Sequence, residues 1–561
     1  MKTAIRLICW SVLCALLLPA CSGKPSQNGP EVQDVSPRLL NIIHFVRQTD
    51  FRVENSDKLM YETVCEQLRL INRYHLPATF LLEYDALVNP AYQKLLKDSL
   101  NEWSEIGAWW EITQPHAEAA GVRWRGRHSW DYTADVAFSV GYTREERKRL
   151  VDAYMKKFKE VFGTCPKSVG SWYIDAYSLA YMHDKYAIDA SCNCRDQIGT
   201  DGYTLWGGYW NQAYYPSREN AYMPAQHEEN QINVPVFRML GSDPIYQYDG
   251  ALGENGQDVM TLEPYYEKGG KSRKWVDYFF DALVNQPCLA YSYAQAGQEN
   301  SFLWYRMKEG LEMQYPLIDS LRNTGKVRVE TLGESGRWFK MLYDVTPPTA
   351  VTAVKDWQDA GNRTVWFDSR FYRANLLWEK NDFRIRDIHL FDEKFRSFYQ
   401  DSPEKGRQFF LYTLPVVEGF LWSDADSQAG LRLVALHEDG TKESILLGEP
   451  EIEEKDGRMM VVTCKDRKER LFSITFQEEG LEIRGRMKET PFRWALELQA
   501  ADDKEFPFVG IKGRKMCAVF RDYAYSFVCE KGIWDEFPEK NDAVFRIYAE
   551  DGCVRLNFSG K

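Results

Sequence analysis

The chain lacks any cysteine pair at metal-ligand or redox spacing. Nine cysteines follow Cys21, scattered singly except for Cys192-Asn-Cys194, so no structural zinc site is indicated and the odd count points to buried thiols with few disulfides. It also lacks long runs of one charge sign. The formal charge of −12 is spread along the sequence, which argues against nucleic acid and against an extensive basic face for membranes. No internal repeat or low-complexity tract is evident. Beyond the first twenty residues no stretch is long and apolar enough to cross a membrane.

What is present starts with a secretion signal. Lys2 and Arg6 precede an apolar run over 7–18, too short to span a bilayer. It ends in Leu18-Pro19-Ala20-Cys21, which resembles a bacterial lipobox. The expectation is a lipoprotein signal peptide over 1–20, lipidation at Cys21, a polar tether over 21–37, and a lipid-anchored protein of the cell envelope, in the outer membrane or facing the periplasm. An ordinary cleaved signal peptide is the simpler alternative.

The 561 residues exceed what one hydrophobic core usually supports. Over 38–344, short β-rich apolar runs (41–46, 78–82, 106–112, 168–173, 187–193, 233–237, 289–293, 327–331) alternate with amphipathic helical stretches (57–74, 90–103, 143–162, 178–186, 274–285, 301–323). That alternation predicts an α/β fold, a distorted (β/α)7–8 barrel, interrupted by insertions at 113–141 and 195–230. Over 345–561, short alternating runs split by turn residues predict an antiparallel β-sandwich that supports the barrel.

Candidate site residues follow from the strand ends, because ligands bind outside the carboxyl ends of parallel strands. Gln48 and Asp50 follow the first run, Glu83 and Asp85 the second, and Trp109, Trp110 and Glu111 the third. Trp172 and Asp175 follow the fourth. Beyond these come Arg195, Asp196 and Asp201, then Arg238 and Asp243, then Gln298, Glu299 and Asn300. Each one singly reads as a helix cap or loop residue; their convergence on one mouth reads as an active site. Asp175 in particular is placed to cap the following helix. The 18 Trp and 32 Tyr suit a saccharide-binding surface, although cores also use aromatics. Tyr209 and Trp210, among irregularly spaced aromatics of the 195–230 insertion, are read as a substrate wall. Arg195 and Arg238 there suit an acidic sugar or internal pairing with Asp196, Asp201 or Asp243.

Three segments carry a family resemblance: Leu76-Pro-Ala-Thr-Phe-Leu-Leu82, Glu105-Ile-Gly107 and Gly170-Ser-Trp-Tyr-Ile-Asp-Ala-Tyr-Ser178. They are similar to the superfamily that joins NodB-type polysaccharide deacetylases with family 38 and family 57 glycoside hydrolases. The runs 195–210 and 238–244 also resemble secreted Bacteroidetes proteins labelled only glycoside hydrolase/deacetylase. The resemblance implies a barrel and maps a family 38 nucleophile onto Asp175. Family 57 places its acid after the strand that precedes Glu299. The metal motifs depart: Gln48-Thr-Asp50 stands where family 38 has H-x-D, and the segment 108–116 after Glu105-Ile-Gly107 retains one histidine, His116, of the deacetylase pair.

The expectation is therefore a metal-free glycoside hydrolase acting on an oligo- or polysaccharide through a carboxyl pair. Asp175 serves with Glu299, and Glu111 competes for the acid role because two tryptophans precede it. Trp109, Trp110, Trp172, Arg195, Asp196, Asp201, Tyr209, Trp210, Arg238, Asp243, Gln298 and Asn300 line the substrate. The alternative is a metal-dependent polysaccharide deacetylase, with zinc held by Asp50 together with Asp175 or His116. A polysaccharide lyase and a non-catalytic glycan-binding lipoprotein complete the set.

Overall fold

Eight short strands stand where the apolar runs predict them. β1 (Arg38–Val46) is buried from Leu39 onward, as a central parallel strand covered on both faces must be. The computed structural model describes residues 36–248, 261–379, 382–487, 492–535 and 543–560. The expected signal peptide, Cys21 and almost all of the expected tether lie outside them. No helix of the described residues is long and apolar enough to cross a membrane.

In chain order there follow β2 (Thr79–Leu82), β3 (Glu105–Trp109), β4 (Ser168–Gly170) and β5 (Ala190–Cys194). Next come β6 (Gln197–Thr200), β7 (Tyr203–Trp206), β8 (Ala213–Tyr214), β9 (Val236–Met239), β10 (Ser292–Ala296) and β11 (Arg328–Glu330). Seven parallel strands run in the order β10-β1-β2-β3-β4-β5-β9. β11 wedges beside the first half of β1, and β2 takes over beside its second half. No ladder joins β9 to β10. Short β8 lines the seam antiparallel to β9, and side chains bridge it. Tyr291 Oη accepts from Ala213 N (3.1 Å) and donates to Ala213 O (2.8 Å), while Gln295 Oε1 accepts from Leu240 N at 3.1 Å. The barrel is thus nearly closed.

The predicted helices form within a few residues of their expected bounds, including Ser56–Arg73, Arg144–Phe162, Arg273–Asn285 and Trp304–Asn323. The Thr143 capping box is present, with Thr143 N donating to Glu146 Oε2 at 2.9 Å. The helices Tyr84–Val88, Gln114–Ala119, Ala134–Ala137 and Leu332–Leu342 have no counterpart in the sequence reading.

The C-terminal part forms two antiparallel sheets, one of ten strands and one of eight among the described residues. Phe367 of one stacks on Phe476 of the other at 5.2 Å, as two sheets facing across a core require. The run at 408–414 departs from the expected sandwich. Its first part, Phe409–Tyr412, leaves the sheets and pairs in parallel with β7, in a three-stranded sheet with β6. One hydrophobic core runs from the barrel into the sheets.

Candidate active site

β1 ends at Val46, so the next side chain, Arg47, points into the mouth and is almost completely buried. Three glutamates from three other strand ends surround its guanidinium. Glu83 after β2 lies 3.3 Å from Nε, Glu111 after β3 lies 2.6 Å from Nη2, and Glu299 after β10 lies 2.9 Å from Nη1. The Glu299 contact is an ion pair without the alignment of a hydrogen bond. Gly297, at φ 89°, turns the chain against β1, where a Cβ would stand 2.3 Å from Ile43 O; this brings Glu299 back over Arg47. Asn300 fixes the backbone at the same point. Its Oδ1 accepts from Arg47 N at 2.9 Å and its Nδ2 donates to Arg47 O at 2.8 Å.

Electrostatics separate these carboxyls. Burial pushes Glu299 up to about 7 against the pull of Arg47 and the Ser301 hydroxyl. Burial and then the neighbouring Asp85 drive Glu83 well above the usual carboxylate range. Burial raises Asp85 to about 6 against the N–H of Ala86. Glu111 Oε2 accepts from Arg47 and, at 2.7 Å, from Trp109 Nε1. Trp130, from the 113–141 insertion, roofs the group with its ring 4.4 Å from the Arg47 guanidinium. Arg52 lies against the same ring at 4.7 Å, pairing with Asp50 and with Asp201.

Of the predicted residues, the mouth brings together Glu111, Glu299, Trp109 and Asn300, with Asp50 and Asp201 at its rim through Arg52. Trp172 packs edge-on to Trp109 at 5.2 Å. Gln298 turns to Glu263, and Trp110 packs on His116 and Tyr154. Asp175 stands apart. It caps the helix Ala176–Tyr186 by accepting from Ser178 N at 3.0 Å, pairs with buried Arg147 at 2.9 Å, and accepts from the Ser139 hydroxyl at 2.5 Å. Burial would raise its pKa, but Arg147 and the two serines outweigh it and hold the carboxyl below the ordinary aspartate value. No hydrogen bond or ion pair joins it to Glu111 or Glu299.

The expected substrate wall is an interior. Tyr209 donates to Pro347 O at 2.9 Å, and Trp210 stacks on Trp366 of the C-terminal sheet at 4.3 Å. Both are at most 1% exposed, leaving no ring face for a sugar. Arg238 and Arg373 both clasp Asp196, and Arg373 continues to Asp387 at 2.9 Å. Arg195 donates to Asp196 O at 3.0 Å, and Asp243 accepts from Trp357 Nε1 at 2.7 Å. Internal pairing, not an acidic sugar, accounts for Arg238. The residues of the mouth absent from the sequence reading are Arg47, Arg52 and Trp130. An arginine directly after a strand dominated by apolar residues was the available signal for the first.

The mouth does not fit a metal ion. Its carboxyls close on a guanidinium, and Asp50 is held by Arg52 at 2.8 Å. His116 is buried against Tyr84, its Nε2 is bound to Leu150 O at 2.9 Å, and burial lowers its pKa to about 4. Among the described residues the one group of converging metal-type donors is Asp387, His389 and Glu418 in the C-terminal sheet. These donor types suit a divalent cation, so an expectation of no metal has no support. In this structure Arg373 holds Asp387, while the His389 nitrogens reach Thr413 (2.8 Å) and Glu418 (3.0 Å).

A nearly closed parallel barrel with a buried guanidinium–carboxyl centre at its mouth defines the class. No protein-family model matches the chain, and no curated protein matches its sequence. Among solved structures it is similar to a Parabacteroides distasonis protein named for glycoside hydrolase/deacetylase, with 15% identity, TM-score 0.48, 67% of this chain and 89% of that one covered. It is also similar to a Mycobacterium smegmatis protein named for polysaccharide deacetylase (11% identity, TM-score 0.35, 55% and 92% covered). A third is a family 4 acetyl xylan esterase from Clostridium thermocellum (11%, 0.25, 55% and 94%).

Proposed function

We propose that the chain is a carbohydrate-active hydrolase working at the mouth of the barrel, and that it removes an acyl group from a saccharide. The observation that carries this is the pairing of Arg47, a fixed buried cation, with Glu299, whose carboxyl titrates near 7. Glu299 takes a proton from water as the water attacks the acyl carbon. Arg47 stabilises the oxyanion that forms, and Glu299 returns the proton to the departing sugar oxygen or nitrogen. Glu111 and Trp109 hold the guanidinium and its partner carboxylate in place. Entry of a saccharide requires Trp130 to move off Arg47.

The glycosidic reading loses ground because Asp175, the nucleophile implied by resemblance, is engaged by Arg147 and caps a helix. Acetate release from acetylated xylan and from N-acetylated chito-oligosaccharides tests the proposal, with Glu299→Gln as the control. Release of reducing ends without acetate would instead assign the mouth to glycosidic cleavage by Glu111 and Glu299. We further propose attachment to the cell envelope through lipidated Cys21; Cys21→Ser should move the protein from the membrane to the soluble fraction.

A further inference from the structure

Four buried carboxyls face a single guanidinium. Glu83, Asp85, Glu111 and Glu299 are each at most 4% exposed, and Arg47 is the cation among them. With all four ionised the centre would carry a net charge of −3 inside the protein, which desolvation forbids. The geometry marks where a proton resides. Glu83 Oε1 and Glu111 Oε2 both crowd one donor, Arg47 Nε, at 3.3 and 3.2 Å. One N–H hydrogen serves two carboxylates poorly, and two like charges at that spacing repel unless one is neutral. Glu83 Oε2 and Asp85 Oδ2 accept no hydrogen bond, although both are buried. A proton shared between neighbouring carboxyls relieves both the repulsion and this shortfall, and Glu83 lies in side-chain hydrogen-bond contact with both Glu111 and Asp85.

We propose that Glu83 is a standing carboxylic acid at neutral pH whose proton is shared with its carboxyl neighbours Glu111 and Asp85, making it a positioning residue that keeps Glu111 aimed at Arg47. The role rests on reading the mouth as the active centre; the protonation itself does not. Every element packed there supplies its own polar group. Tyr92 Oη donates to Arg47 O (3.3 Å), Tyr154 Oη donates to Leu82 O (2.5 Å), and Arg52 with Asp50 and Asp201 forms the rim. None of them lies in hydrogen-bond contact with Glu83, so none supplies the missing proton. Burial and the adjacent Asp85 favour its neutral form.

Infrared difference spectroscopy of the resting protein at pH 7 tests this without substrate. Wild type minus Glu83→Gln should show one protonated-carboxyl C=O band that shifts in heavy water, and wild type minus Glu111→Gln should perturb that band. Its absence from the first difference overturns the proposal. Should Glu83→Gln fail to fold, Asp85→Asn provides the second arm. Removing the adjacent negative charge should lower the pH at which the wild-type band titrates, and an unchanged titration overturns the proposal equally. For the positioning role, Glu83→Gln should lower kcat more than KM and move the pH profile. If the band is present but no saccharide is hydrolysed, the functional reading fails and the protonated Glu83 stands.

Discussion

Arg47 Nη1 and Glu299 Oε2 lie 2.9 Å apart, with both side chains withdrawn from solvent. A buried cation with several carboxyl partners is costly to remove because the partners remain. Arg47→Met should therefore destabilise the protein by about 3–5 kcal/mol at pH 8. The loss should shrink at pH 5, below the value of about 7 to which burial lifts Glu299, because that partner is then neutral. Urea unfolding at the two pH values reads both.

Glu299 should tilt the pH dependence of stability in a definite direction. Its ordinary value is 4.5 and its folded value about 7, so between them the native state holds a proton that the unfolded chain has released. Stability from this group is complete below about 4.5, falls as pH rises, and levels off above about 7, a change on the order of 3 kcal/mol. Glu299→Gln removes that slope, so the variant should gain on wild type from pH 5 to pH 8 in thermal unfolding. The same titration predicts that kcat/KM for deacylation rises through pH 7 as Glu299 becomes the base. The Gln variant should lose about 100-fold or more.

Asp175 should behave as a structural carboxylate. Asp175→Asn keeps an acceptor for the helix end but removes the charge opposite Arg147, and should cost about 3–5 kcal/mol. Its folded value lies below the ordinary 3.8, so its stabilisation is present above that value and is lost as pH falls through the lower one. Activity assayed well below the melting temperature should survive. A loss of kcat larger than the loss of folded protein would return Asp175 to the catalytic set.

Arg373 ties the barrel insertion to the C-terminal sheet through Asp196 and Asp387. Arg373→Met should leave Asp387 buried without its guanidinium and Asp196 with Arg238 as its remaining one, lowering stability by about 3–5 kcal/mol. Limited proteolysis should then cut first within the 195–230 insertion.

The barrel was legible because its strands are apolar runs bounded by helical patterns, a local signal that survives without tertiary knowledge. Helix Arg144–Phe162 carried its own start signal in Thr143 and Glu146. The centre of the mouth was not legible in the same way. Arg47 acquires its meaning from Glu83, Glu111 and Glu299, which lie 36, 64 and 252 positions further on, and no local pattern encodes that convergence. The aromatics of 195–230 misled for a related reason. Their irregular spacing is that of a loop, and only the Trp210–Trp366 stack reveals the loop as the inner surface between barrel and sheet.

The parallel pairing of β7 with Phe409–Tyr412 has a consequence for how the protein is made. Thr413, just past that strand, bonds Gly207, 206 residues earlier. While the chain is being synthesised, the barrel strands can assemble, but the hairpin β6–β7 has no partner until the later segment arrives. Trp206 and Tyr203 must wait uncovered during that interval, and such long-range closure is slow and aggregation-prone. Maturation is therefore gated by delivery of the C-terminal half, and a chain cut short after residue 345 should accumulate as aggregates and not as a free-standing barrel.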